Sequence, residues 1–415
     1  MTLTLLTDIF ILSIGAAILD FSLARYVRLQ ESVYRVTLVV VWFLFAIRYY
    51  YGPDIFNYVP VYENLHPWYW YLQHPDHYEF EHGFVLFCAV LKGLGLSYYW
   101  MTAIVTTFYF VIIALYFSRI RRHKTIALMI LVLFDYTLIF ATHRQCLSVT
   151  FFVLMVMLMD KKELVWALIC AWLAVSMHKA GIFIITLTWL YYLVHNHRLE
   201  RAFFLSIFAM LCVMLIVPLT SISSSFIMSL PLPESFVASL KEHLLLGRQV
   251  QLLWVVYAML VISLEYYFQH RYEVGRATEV VVVLGLVFIA LAYQYFYLLT
   301  RLRSYFLPFL IVYLFGLVQE TEDDRLLAAR GSVLLKDLCL IFLFGYFGIR
   351  TLHFEQGART LNERAYTPRG ETIYTTCTVF DLLHRSAKDV QRERLLIAKY
   401  YWWYDYMVGE QNKLK

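Results

Sequence analysis

Apolar runs of membrane-spanning length recur along almost the whole chain, and this leaves few folds open to it. They fall near residues 3–23, 32–49, 98–118, 125–142, 145–160, 163–178, 181–196, 202–219, 251–268, 279–299, 304–319 and 333–350. A helical crossing takes about 20 mostly apolar residues, because the hydrocarbon core is about 30 Å thick. In lipid, every backbone N–H and C=O must pair inside its own segment, so runs of this kind fold as helices. The expected fold class is therefore all-α, a polytopic membrane bundle of about 12 spans. Composition agrees: 61% of residues are hydrophobic and only 16% are charged, whereas soluble domains are about half apolar and a quarter charged.

The same figures exclude a soluble enzyme built around one core. The net charge of +5 reads as loop asymmetry, not as a nucleic-acid-binding surface. The N-terminus MTLTLLTDIF has no basic n-region, so no cleaved signal peptide is expected. Cys88, Cys146, Cys170, Cys212, Cys339 and Cys377 form no close CxxC pair. They read as small buried hydrophobes, with neither a disulfide framework nor a zinc site indicated.

Basic clusters set the orientation. Arg25, Arg28 and Arg35 mark one cytoplasmic loop, and Arg119, Arg121, Arg122 and Lys124 the next. Lys161 with Lys162, Arg198 with Arg201, and Arg271 with Arg276 follow at alternate loops. This rhythm places 48–97 on the outer face, provided that Gly83–Leu96 does not cross. That segment is short for a span and contains Lys92, Gly93 and Gly95, so it is expected to lie flat on the outer leaflet. Residues 220–250 read as a turn followed by an amphipathic surface helix. The expected organisation is a membrane domain over 1–350, with outer loops 48–97 and 220–250, followed by a polar tail over 351–415.

Against this background, the stretch from Arg48 to His82 is a polar, aromatic island. It holds Asp54, Glu63, Asp76, Glu79 and Glu81, together with His66, His74, His77 and His82. Gly52 and Pro53 break the helix that leaves the membrane and fix Asp54 just beyond it. A carboxylate there serves either as a helix N-cap or as a general base for a hydroxyl. Glu81 opens the segment EHGF; it either complements a helix dipole or handles a sugar hydroxyl. In HRQ, Arg144 with Gln145 either snorkels or grips a phosphate, whose oxygens match the guanidinium fork. His178, in MHKAG, is an ionisable group at a membrane boundary, a costly placement that marks functional sites. Arg301 and Arg303 end a later span on the same face. His74, Asp76, His77, Glu79 and His82 match no closed zinc pattern, so no metal and no cofactor are expected.

Taken in order, these groups resemble the EpsG family of membrane proteins, which are akin to the Wzy polysaccharide polymerases. The resemblance rests on RYYYGPDIFNY at 48–58, EHGF at 81–84 followed by GLGLS at 93–97, HRQ at 143–145, MHKAG at 177–181 and RLRSYF at 301–306. This chain has one extra residue before Gly52, and Ile55 where the family usually has Tyr. His143 replaces an aliphatic residue, and the family's serine is missing after His178. The similarity covers about 35–320.

The resemblance implies a multi-pass glycosyltransferase of the bacterial inner membrane, compatible with a GT-C-like architecture. Its substrate would be a polyprenyl-diphosphate-linked oligosaccharide, joined outside the membrane into O-antigen, capsule or exopolysaccharide. Asp54 or Glu81 would accept the acceptor hydroxyl's proton. Arg144, with Arg301 or Arg303, would stabilise the departing diphosphate, and His178 would orient the diphosphate or the sugar. Arg48, Tyr58 and Gln145 complete the expected substrate-binding set. A chain-length regulator, a flippase and membrane lipid are the implied partners; nucleic acid is not. The competing readings are a lipid-linked sugar transporter, a glycan acyltransferase using His178, and a non-catalytic assembly partner.

Overall fold

The computed structural model describes residues 5–23, 26–51, 55–66, 68–73, 80–140, 142–194, 275–292, 302–313, 315, 364–366, 372–374 and 376–378. Twelve helices are named here, α1 to α12. The first five are α1 (Leu5–Ser22), α2 (Val27–Ala46), α3 (Ile55–Glu63), α4 (Trp68–Gln73) and α5 (His82–Gly93). Then come α6 (Tyr98–Phe117), α7 (Lys124–Phe140), α8 (His143–Asp160), α9 (Leu164–Met177) and α10 (Gly181–Val194). The last two are α11 (Arg276–Ala292) and α12 (Leu302–Tyr313). Among the described residues, α2, α6 and α8 are long and apolar enough to cross a membrane, and this is a membrane protein. The spans expected near 202–219, 251–268 and 333–350, and the surface helix in 220–250, lie outside the described residues.

Helix dominates the described residues, as the all-α expectation has it, with a few short strands beside it. Among the described residues these strands are β1 (Arg48–Tyr51), β2 (Arg364–Tyr366), β3 (Thr372–Tyr374) and β4 (Thr376–Thr378). β1 pairs antiparallel with β4, and β2 with β3. The RYYY stretch that leaves α2 is therefore hydrogen-bonded to a segment of the polar tail. A peptide emerging beside lipid must find backbone partners, and a short ladder supplies them.

The chain divides into two compact units. One comprises 1–151, 172–179 and 325–415; the other comprises 152–171 and 180–324. In the first, α1 and α2 pack on α7, and α2 also packs on α6. Phe45 stacks on Phe140 at 4.0 Å and meets Phe110 edge-on at 5.9 Å. Tyr109, Tyr116 and Phe117 are fully buried beside them. At one end, Asp20 of α1 binds His123 Nδ1 at 2.6 Å, and Gln30 of α2 donates to the Asp20 carbonyl at 3.0 Å. This ties the α1–α2 turn to the loop before α7.

The segment expected to lie flat on the membrane is α5, whose 12 residues span about 18 Å at 1.5 Å each. That is well short of a hydrocarbon core of about 30 Å. Its end is set by the GLGLS sequence. Gly95 adopts φ +77, its N–H bonds the Lys92 carbonyl at 2.9 Å, and the Leu96 N–H bonds the Leu91 carbonyl at 3.1 Å. This 6→1, 5→2 pair is a Schellman stop, which needs a left-handed residue and so favours glycine. Tyr62 of α3 donates to the Leu96 carbonyl at 2.9 Å, and Lys92 Nζ returns to the Tyr62 carbonyl at 3.1 Å. These bonds lock α3 against α5.

In the second unit, Phe152 meets Tyr305 and Phe309 of α12 edge-on, each at 5.6 Å. Asp160 accepts the backbone N–H groups of Ala277 and Thr278 at 2.9 and 3.1 Å and the Thr278 hydroxyl at 2.6 Å. An acid at the last residue of α8 opposes that helix's own dipole. Here it caps the N-terminus of α11 instead, where negative charge is favourable.

Candidate functional site

The site grows from the first turn of α8. Arg144 is the second residue of that helix, with His143 before it and Gln145 after it, both of them buried. His143 Nε2 meets the Tyr98 hydroxyl at 3.0 Å, which fixes the head of α8 against α6. The Arg144 guanidinium then lies over two aromatic faces, 4.3 Å from the Phe80 ring centroid and 5.6 Å from that of Tyr58. Its Nε donates to the Tyr58 hydroxyl at 3.3 Å, and its Nη1 to Glu81 Oε2 at 2.6 Å. Tyr58, held on α3, packs against Phe80, Phe84 and His143. A guanidinium bound through two of its nitrogens and stacked on its flat faces has little rotational freedom left.

Glu81 directly precedes α5 in extended backbone, φ −60 and ψ 135, and its side chain makes no capping bond to that helix. The carboxylate reaches away from α5. Oε2 takes Arg144, while Oε1 accepts from His178 Nδ1 at 3.1 Å and from the Lys179 backbone N–H at 3.2 Å. The side chain of Glu81 thus does not cap α5; its hydrogen-bond partners among the described residues lie on α8 and just beyond α9. The site is well enclosed: the side chains of Glu81, His178 and Arg144 keep 9%, 13% and 25% of their exposure.

What allows this convergence is a missing side chain. A Cβ at Gly83 would lie 2.6 Å from Ser176 Cβ and 2.8 Å from the Ser176 carbonyl oxygen. The second residue of α5 thus sits directly against the end of α9. Only glycine permits that approach, and the approach brings Glu81 to His178.

Electrostatics follow from the contacts. Burial by itself pushes the Glu81 carboxyl up. The His178 hydrogen bond, the Arg144 charge and the backbone N–H groups of Glu81 and Lys179 outweigh it. The net result holds the carboxyl well below the usual range, so it is ionised at any physiological pH.

Of the residues singled out in the sequence, four converge here: Tyr58, Glu81, Arg144 and His178. Gln145 adjoins Arg144 on α8. Arg48 lies in β1, paired with the tail, and Arg303 lies half-buried on α12 in the second unit. Asp54, Arg301, His74, Asp76, His77 and Glu79 lie outside the described residues. Among the described residues, no three metal-ligating side chains cluster. Three contributors were not singled out: the Phe80 ring, the Lys179 backbone N–H, and Gly83. The glycine at the start of a helix in EHGF was the available signal, since glycine there has no capping task of its own.

Two of the Arg144 N–H groups are engaged among the described residues, leaving the rest of the fork for an anion. The N-terminus of α8 reinforces this with its own positive end. A planar cation, a helix head and aromatic walls suit an anionic group carried on an apolar or sugar-bearing molecule.

A family model described as the EpsG family matches residues 32–364, reaching further at both ends than the motifs do. No curated protein matches the chain, and no solved structure does.

Proposed function

The chain belongs to the EpsG family, and on that premise we propose that it is a membrane glycosyltransferase. It would polymerise polyprenyl-diphosphate-linked oligosaccharide repeats into a bacterial surface polysaccharide, whether O-antigen, capsule or exopolysaccharide. The observation that supports this best is Arg144 at the head of α8, stacked on Phe80 and anchored through Nε and Nη1 by Tyr58 and Glu81. In the proposed reaction an acceptor hydroxyl attacks the anomeric carbon, and the diphosphate departs toward Arg144. Interactions that meet charge as it develops lower the barrier most. Arg301 and Arg303 supply further cations, while Arg48 and Gln145 help to hold the substrate.

The two carboxylates divide the work. Glu81 is engaged on both oxygens and is held ionised, which makes it a poor proton acceptor and a good anchor. Asp54 remains the proposed carboxylate at the acceptor hydroxyl. The chain would cross the bacterial inner membrane about 12 times in a GT-C-like bundle, with this site facing outward. A flippase would deliver its substrate, and a chain-length regulator would set the product size.

The test uses cells whose only copy carries Arg144→Met or Glu81→Gln at wild-type protein levels. Both should show single repeats on the lipid-linked acceptor instead of ladders. Normal ladders from both variants would remove this cluster from the chemistry.

A further inference from the structure

The Glu81 cluster contains an imidazole whose orientation is fixed by a carboxylate. His178 Nδ1 lies 3.1 Å from Glu81 Oε1. The carboxylate is ionised and can only accept, so Nδ1 carries the hydrogen, and in the neutral imidazole Nε2 is the nitrogen left with the lone pair. The same oxygen takes the Lys179 backbone N–H at 3.2 Å, which stops the carboxylate from swinging away. Glu81 Oε2 meanwhile holds Arg144 at 2.6 Å. One carboxylate thus ties the cation proposed for the leaving group to an imidazole with an available nitrogen. His178 lies in the turn after α9, and its side chain retains 13% exposure. Among the described residues, the charged and titratable groups joined to it are Glu81 at the head of α5, Arg144 on α8 through Glu81, and Lys179 beside it.

Resting on the polymerase reading above, we propose that His178 Nε2 is the proton acceptor for the attacking hydroxyl, with Glu81 as its positioning partner. The step balances without a further reagent. The hydroxyl oxygen forms the new bond to the anomeric carbon while its proton passes to Nε2. The bond from the anomeric carbon to the diphosphate oxygen breaks, and its electron pair leaves with the diphosphate beside Arg144. The imidazolium, facing the Glu81 carboxylate, later returns its proton to water. A carboxylate–histidine pair of this geometry is a general way to orient a base.

The experiment uses full-length protein in proteoliposomes with a synthetic polyprenyl-diphosphate oligosaccharide, assayed between pH 5 and 9. Wild-type turnover should rise with pH and then level off as the base loses its proton. His178→Gln should lower kcat by about 10²–10⁴-fold and flatten that rise. Its binding of polyprenyl diphosphate alone, the probe used, should stay within about threefold. Wild-type turnover that is flat across this range overturns the proposal without recourse to any variant. So does a His178→Gln protein that keeps the rise, or one that loses polyprenyl diphosphate binding, which would make His178 a substrate ligand. An Asp54→Asn protein that flattens the profile while His178→Gln retains it would transfer the role to Asp54. Absence of any polymer from wild-type protein would instead refute the polymerase reading itself.

Discussion

Replacing Gly83 by alanine adds one methyl group at the point where α5 meets α9. That methyl would lie 2.6 Å from Ser176 Cβ and 2.8 Å from the Ser176 carbonyl oxygen, against an ordinary contact of 3.4 Å or more. Neither atom can rotate away, because both are fixed by the backbone of α9. Relief therefore requires the helix ends to part by about 0.8 Å, the difference between 3.4 and 2.6 Å. Carried to the site, the same displacement stretches the 3.1 Å His178–Glu81 bond to about 3.9 Å, beyond hydrogen-bonding distance. Overpacking of this kind costs about 1–3 kcal/mol, and it outweighs the gain of about 0.4–1 kcal/mol from restricting the unfolded chain at a glycine. A loss of about 1–2 kcal/mol and a melting temperature lower by a few degrees are expected. Activity should fall further, by about 100-fold, since misplacement of this size is enough for that. The assay is thermal unfolding in detergent together with turnover of lipid-linked repeats. Adding Ser176→Gly, which leaves only the backbone clash, should restore part of both. A Gly83→Ala protein with wild-type melting and wild-type turnover would refute the close packing and the site geometry built on it.

Arg144→Lys keeps the charge but loses the fork and the stacking on Phe80. The loss of one charge-assisted bond, about 1.5–3 kcal/mol, predicts kcat/KM for the lipid-linked repeat down by about 10- to 100-fold, and full activity would make Arg144 a simple interfacial anchor. Because Glu81 has its carboxyl lowered, its pairing stabilises the fold above the ordinary value of 4.5 and loses that contribution as pH falls below it. Melting curves from pH 7 to pH 3 should therefore drop more steeply for wild type than for Glu81→Gln, and parallel curves would contradict the pairing. Asp160→Ala removes the cap on α11 and should cost about 0.5–2 kcal/mol, read as a lower melting temperature; an unchanged one would mean that water replaces the carboxylate. Cysteine labelling from outside the cell should reach a probe at Gln73 and miss one at Arg121, both exposed positions; equal labelling would remove the outward orientation of the site.

The helices were the legible part, for a physical reason. A membrane helix satisfies its own backbone, so an apolar run of sufficient length nearly dictates it. The spans expected near 32–49, 98–118 and 145–160 correspond to α2, α6 and α8, and the short Gly83–Leu96 segment corresponds to α5 with its glycine stop. The strands were not legible. β1 and β4 have four and three residues, too few for an alternating pattern to register, and their pairing joins distant parts of the chain.

The site was half legible. Composition and boundary position marked Tyr58, Glu81, Arg144 and His178, yet they could not decide among the roles open to each. That decision depends on Glu81 reaching partners 63 and 97 residues away. Only the packing of α5 against α9 and α8 brings them together, and the packing turns on a glycine that looks unremarkable in sequence. Asp160 was missed for a related reason: its partner helix begins more than a hundred residues later.

The central claim is that the Glu81–Arg144–His178 cluster joins lipid-diphosphate-linked repeats. Its most direct test is stoichiometry in proteoliposomes containing the full-length protein and a synthetic polyprenyl-diphosphate oligosaccharide. Mass spectrometry would follow glycan length while released polyprenyl diphosphate is counted. The account predicts a ladder of repeats, with one polyprenyl diphosphate released for each new glycosidic bond, and neither product from Arg144→Met protein. Wild-type protein that releases no polyprenyl diphosphate and builds no ladder, or Arg144→Met protein that does both at the wild-type rate, would contradict it.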